Sequence, residues 1–294
     1  MYYRRKILLS LLQLFDDQLE KIQLQKLLML FSQHQLKKCY HFVPYKYGCF
    51  SFQANADLGT MMKYKLVEEV EKTWVKTSKE DYFSTLKKED KLALQSIKEQ
   101  YYGKSSSDLI AYTYKRFPYF AINSTVAKKH LNKSDLLKID ESRPINNEIA
   151  LYTIGYEGIS LEEYINKLIE KDIKILCDVR KNSFSMKYGF SKSQLKSACE
   201  GVGIIFQHFP EVGIVSEKRK SLETQADYDL LFEEYNETVI PRTKQTQDVI
   251  IELVQNYERV AITCFEADKC QCHRFHLANA IAEKTTKPFL TIHL

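Results

Sequence analysis

In residues 149–294, apolar runs of strand length at 149–154, 173–179, 203–209, 259–265 and 288–293 alternate with helical patterns over 160–171, 191–201, 226–238, 244–257 and 273–284. A strand followed by a helix and a second strand closes a right-handed crossover, so this alternation predicts a mainly parallel sheet covered by helices. Ligands of such sheets sit beyond the carboxyl ends of the strands. The residues just after each run are therefore the candidates for chemistry.

The first half has a different grammar. Between residues 6 and 30, Ile7, Leu8, Leu11, Leu12 and Phe15, then Leu19, Ile22, Leu24, Leu27 and Leu28 fall at helical spacing, which predicts two amphipathic helices broken near Asp16-Asp17. An aromatic stretch at 40–48 with Pro44 and Gly48 reads as strand or loop, 51–66 as a helix and 73–77 as a short extended segment. Helix, helix, turn, helix, extended segment is the order of a winged-helix module. Two more helices are expected over 86–101 and 106–116, with Asp108 opening the second. The polar run 142–148 is the best linker in the chain. It divides a basic, winged-helix-like and helical domain, 1–145, from an α/β (Rossmann-like) domain, 146–294, and two domains suit a chain of 294 residues.

Charge follows the same division. The formal net charge of +5 is a sum of opposites, with 25 Lys+Arg against 16 Asp+Glu in 1–145 and 18 against 22 in 146–294. A basic module joined to a mildly acidic one points to a polyanionic partner, DNA rather than RNA in this reading, with a solvated lysine-rich face as the plainer alternative. Nine Gly and six Pro exclude a collagenous or low-complexity chain. No run approaches the roughly 18 apolar residues of a membrane span, and the N-terminus turns acidic at Asp16-Asp17 without a small-residue cleavage site. We expect an uncleaved cytoplasmic protein with no membrane partner. Seven scattered Cys argue against a disulfide framework.

At the strand ends stand Gly155-Tyr156-Glu157-Gly158, then Asp178-Val179-Arg180-Lys181 with Ser183, Phe184 and Ser185 following, then Cys264-Phe265-Glu266, and finally Cys272-His273-Arg274 at the start of a helix. Asp178 and Glu266 are two carboxylates able to activate water or to stabilise a developing oxocarbenium ion. Tyr156 can stack on a base, and His273 can protonate a leaving group or orient a carboxylate. Arg180 and Arg274 are candidate phosphate forks, with Lys181 and Ser185 beside them. The structural alternative is an ion pair, Arg180 with Glu266 or Arg274 with Asp178.

Cys264, Cys270, Cys272 and His273 lack the two separated ligand pairs of structural zinc, so no metal is expected. Adjacent helical residues do not face each other, which weakens a Cys272–His273 dyad. Neither a P-loop nor a Gly-x-Gly-x-x-Gly turn occurs, and no cofactor is expected.

Two resemblances follow from these residues. Lys21-Ile22-Gln23-Leu24-Gln25-Lys26-Leu27-Leu28 and the run Tyr40 to Ser51 resemble the N-terminal part of a bacterial winged-helix-like family, with Cys49 where that pattern has Pro. Thr153-Ile154-Gly155-Tyr156-Glu157-Gly158, Asp178-Val179-Arg180 with Ser185 and Phe190, Cys264 with Glu266, and Cys272-His273-Arg274 resemble the domain-of-unknown-function family 488, with Ser183 where many members have Pro.

The reading that joins these features is a bacterial DNA-directed hydrolase, a DNA glycosylase acting on a modified or unmodified base and compatible with antiviral defence. The alternative is a non-catalytic nucleic-acid or nucleotide sensor using the same rim.

Overall fold

The computed structural model describes residues 1–219 and 222–294 and forms two compact units, Met1–Arg143 and Pro144–Leu294. In the first unit, α1 (Tyr3–Leu14) leads through β1 (Gln18–Glu20) into α2 (Lys21–Ser32). The break falls at Asp16 and Asp17, which both adopt left-handed backbone with φ of 59° and 60°. Aspartate tolerates that conformation better than most residues, and two in succession cannot continue a right-handed helix. The hairpin of β2 (Val43–Tyr45) and β3 (Gly48–Phe50) precedes α3 (Phe52–Lys63), whose N-cap Ser51 accepts a hydrogen bond from the Ala54 amide. β4 (Val67–Val70) and β5 (Thr73–Lys76) then complete a three-stranded antiparallel sheet in the order β1-β5-β4.

α4 (Lys88–Tyr101), α5 (Ser106–Arg116), α6 (Ala127–His130) and α7 (Lys133–Glu141) follow. α5 opens one turn earlier in role than Asp108 suggested. Ser105 is its N-cap, and Asp108 is the third helical residue whose carboxylate reaches back to the Ser105 amide, a reciprocal pair that satisfies two otherwise orphaned amides. Leu8, Leu11, Leu27, Leu28, Phe31, Leu58, Trp74 and Leu94 share one buried core. At its edge the buried Asp57 accepts from Arg4, Arg5 and the Tyr40 hydroxyl, at 2.6, 2.8 and 3.0 Å.

The second unit alternates strand and helix as its apolar runs predict: β6 (Ala150–Gly155), α8 (Leu161–Glu170), β7 (Ile175–Asp178), α9 (Lys192–Gly201), β8 (Ile205–His208), α10 (Gln225–Arg242), α11 (Lys244–Tyr257), β9 (Arg259–Cys264), α12 (His273–Lys284) and β10 (Leu290–His293). All neighbouring strands pair in parallel, in the order β10-β6-β9-β7-β8. Every residue of β6, β7 and β9 is buried, as expected when helices cover both faces of a parallel sheet.

β9 lies at the centre. Its last residue, Cys264, sits beside Gly155 of β6, while Thr263 is level with Asp178 of β7. The motifs that are distant in sequence therefore meet at one sheet edge. Among the described residues no helix is long and apolar enough to cross a membrane.

Candidate functional site

At the end of β7 the buried Asp178 and Arg180 form a bidentate ion pair. Arg180 Nε donates to Asp178 Oδ1 at 2.8 Å and Nη2 to Oδ2 at 2.6 Å, while Nη1 donates to the Tyr156 hydroxyl at 2.7 Å and to the Phe190 carbonyl at 2.8 Å. The Tyr156 ring stacks on Phe190 with centroids 4.2 Å apart and meets the edge of Phe265. This block holds the loop after β7 against the loop after β6. Its geometry differs from two expectations. Arg180 faces a carboxylate of its own turn rather than an open phosphate site, and Asp178, with both oxygens accepting from Arg180, does not line the cleft described below. An Asp-x-Arg turn favours this outcome, since both oxygens of a carboxylate two residues away can meet the Nε/Nη2 edge of the guanidinium.

The loop after β9 is fixed just as closely. Tyr156 and Glu157 amides donate to the Phe265 carbonyl at 3.0 and 2.9 Å, so the loop folds back across the end of β6. Gly155 permits this approach, because a Cβ there would lie 1.8 Å from the Glu266 carbonyl oxygen. Arg274, almost fully buried, donates from Nη1 to the Glu266 carbonyl at 2.6 Å and from Nη2 to the Ala267 carbonyl at 2.9 Å. Arg274 is thus also placed apart from a phosphate role. It pins the backbone that carries Glu266.

Gly155→Ala should displace that backbone at a cost of about 1–3 kcal/mol, the usual range for overpacking. Thermal unfolding of the variant checks the stability, and a matching loss of ligand binding or turnover checks that Glu266 has moved.

Between these loops lies a polar cluster. Glu266 Oε1 accepts from Arg219 Nη1, and Arg219 Nη2 lies 2.8 Å from His273 Nδ1 and 3.9 Å from Cys264 Sγ. His273 Nε2 is 3.0 Å from the Val179 carbonyl, which can only accept. That bond places the ring proton on Nε2 and leaves Nδ1 as an acceptor toward Arg219. Cys264 Sγ and Cys272 Sγ lie 3.7 and 4.0 Å from the same Nδ1.

Burial pushes the Cys264 thiol up, but the hydrogen bond from the Cys272 thiol and the Arg219 guanidinium act against it, and Cys264 is held well below the usual thiol range. Burial and the neighbouring Cys264 drive Cys272 the other way. Burial, reinforced by the neighbouring Cys264, also raises the Glu266 carboxyl against the opposing pull of Arg219. Glu266 Oε2 has no hydrogen-bond partner among the described residues.

The cluster floors a cleft of about 390 Å³ at the carboxyl edge of the sheet. Tyr156, Arg180, Lys181, Ser185, Glu266 and His273 all line it, whereas Asp178 and Arg274 do not. Ser185 is committed locally, its hydroxyl accepting from the Lys187 amide. The exposed Lys181 remains available to an anion at the rim.

The sequence reading missed Arg219 and Met186 as site residues and placed Phe184 at the strand end without giving it a role. Arg219 ends a single 3₁₀ turn, Ser216–Arg219, in a stretch with no periodic signal. Phe184 and Met186 are 74% and 96% exposed, and two large apolar side chains held out in a Lys- and Ser-rich loop are the signal that was available.

Neither curated proteins nor solved structures give a match to this chain. The model of the domain of unknown function DUF488 matches residues 160–281, a span that holds Asp178, Arg180, Arg219, Cys264, Glu266 and the Cys272-His273-Arg274 run, and the second unit is similar to that family over this length.

Proposed function

We propose that the cleft of the second unit receives a nucleotide base and that the protein hydrolyses its N-glycosidic bond in DNA. The observation that carries this reading is the half-buried Glu266 carboxyl, one oxygen paired with Arg219 and the other, Oε2, buried and unpartnered among the described residues, in a cleft with Tyr156, Phe184, Met186 and Phe265 around it. Aromatic and apolar side chains suit a base face, and exposed apolar side chains can wedge a base step apart. A carboxyl whose proton affinity is raised suits general acid catalysis. In the reaction water attacks C1′, the C1′–N bond breaks, and the departing base takes a proton from Glu266, which the attacking water restores.

The first unit supplies the grip in this proposal. We read its helices and the β1-β5-β4 sheet, with the β2-β3 hairpin inserted between α2 and α3, as a winged-helix module. The helix that such modules place in the major groove corresponds to α3, which carries Lys63 as its one basic residue, and β4 with the turn after it carries Glu68, Glu69 and Glu71. Phosphate contacts would therefore come from exposed lysines elsewhere, such as Lys128, Lys129 and Lys133 around α6.

The immobilised Asp178 favours a second reading, a sensor that binds a nucleotide without turnover, because it leaves one carboxylate in the cleft where glycosidases use two. Abasic-site formation on unmodified and base-modified DNA separates the two readings. Release of base by wild type, lost in Glu266→Gln, supports the enzyme. Binding of DNA or nucleotide with no abasic product in any protein supports the sensor. DNA affinity should fall steeply with salt, at a slope set by the number of phosphates contacted. No binding even at low salt would remove both readings.

A further inference from the structure

Beside the cleft the fold brings together Cys264 from the end of β9, Cys272 at the N-cap of α12 and His273 in the first turn of that helix, of which Cys264 and His273 line the cleft. The two sulfurs and Nδ1 all lie within 4.8 Å of one another, and all three residues are buried. Their spacing along the chain gives the expectation of no metal, because it does not show that the loop from 265 to 271 returns and closes the three on one another.

We propose that Cys264 Sγ, Cys272 Sγ and His273 Nδ1 form a binding site for zinc or a similar borderline-soft divalent cation. The spacing fits. With Zn–S near 2.3 Å and Zn–N near 2.0–2.1 Å, tetrahedral angles place sulfur and nitrogen about 3.6 Å apart. The observed separations from Nδ1 are 3.7 and 4.0 Å. The orientation of the ring fits too, since a ligating imidazole characteristically donates its other N–H to a carbonyl, here Nε2 to Val179 at 3.0 Å. The Cys272 side chain makes no capping hydrogen bond to its helix, so its sulfur is not engaged elsewhere in that role. Three protein donors leave a fourth position, and Glu266 Oε2 is the nearby oxygen without a partner among the described residues.

Arg219 is the competitor. Its guanidinium contacts Cys264 Sγ and His273 Nδ1, two of the three donors of the proposed site, and Glu266 Oε1 beside them. The cluster attracts positive charge, and guanidinium and metal ion exclude each other from it. Metal binding then releases Arg219 into the cleft, where Lys181 is already present.

The proposal does not depend on base removal, and its test reads metal rather than activity. The full chain, reduced and stripped with a chelator, is titrated with Co²⁺ and then Zn²⁺. One equivalent of Co²⁺ should produce sulfur-to-cobalt charge transfer and intense tetrahedral d–d bands, both abolished by Zn²⁺. Cys264→Ser or Cys272→Ser should weaken binding at least tenfold and reduce the charge-transfer band. Cys270→Ser, at an exposed cysteine outside the set, should leave the spectrum unchanged.

Arg219→Met should tighten binding severalfold, and it keeps the ligands intact should either serine variant fail to fold. Absence of thiolate-to-cobalt bands in wild type, loss of them in Cys270→Ser, or weaker binding in Arg219→Met would each overturn the proposal.

Discussion

Asp178→Asn should lower the stability of the second unit by about 3–5 kcal/mol, the range for removing one member of a buried ion pair. Asp178 and Arg180 have side-chain exposures of 0% and 5%, so solvent does not screen the loss. The asparagine amide keeps one acceptor but turns an N–H₂ toward the guanidinium, leaving Arg180 charged and half-partnered. For a unit of about 150 residues the change corresponds to a fall in melting temperature of roughly 10 °C. Calorimetry on wild type and variant measures it directly. A variant that melts with wild type would show that the pair does not hold the two loops together. Below the melting range, the variant should bind its ligand more weakly because Tyr156 has lost its fixed hydrogen-bond donor, rather than because an acid or base has been removed.

Glu266→Gln is expected to behave in the opposite way. The amide conserves shape and can still accept from Arg219, and it avoids burying a carboxylate whose proton affinity burial has raised. The fold should survive, while base release should fall by about 10²–10⁴, the usual contribution of a positioned acid or base. The loss should appear in kcat rather than KM, because Oε2 meets the leaving group chiefly in the transition state. Single-turnover measurement of abasic sites, paired with a binding isotherm for each protein, separates these effects. Unchanged turnover in the variant would exclude Glu266 as the acid.

The sheet of the second unit was legible because its apolar runs are short, separated by helical patterns and buried on both faces. The residues 259–264, for example, have no surface to compromise for. The sheet edge was legible as well, since Tyr156, Arg180, Glu266 and His273 all reach the cleft. Their partners could not be read. Asp178 and Arg180 close on each other within one turn, and Arg274 reaches two backbone carbonyls rather than a side chain, a contact that leaves no trace in residue type. Arg219 approaches from a segment without periodicity, 47 residues before Glu266. Cys264, Cys272 and His273 can be weighed together along the chain, but a spacing of seven residues between a strand end and a helix cap does not show that the intervening loop closes them on one another.

The clamp from Arg274 to the Glu266 and Ala267 carbonyls makes α12 a lever on the cleft. The helix is seated by the buried Leu277, Ala278 and Ile281, one to two turns below Arg274 and outside the lining of the cleft. A small shift in that seating is transmitted through a rigid guanidinium to the peptide that carries the carboxyl, and through His273 to the sulfurs. Substitutions in this ordinary-looking core stripe would therefore be inherited as changes in chemical competence, and a survey of inactive variants would find some of them deep under the sheet rather than around the opening.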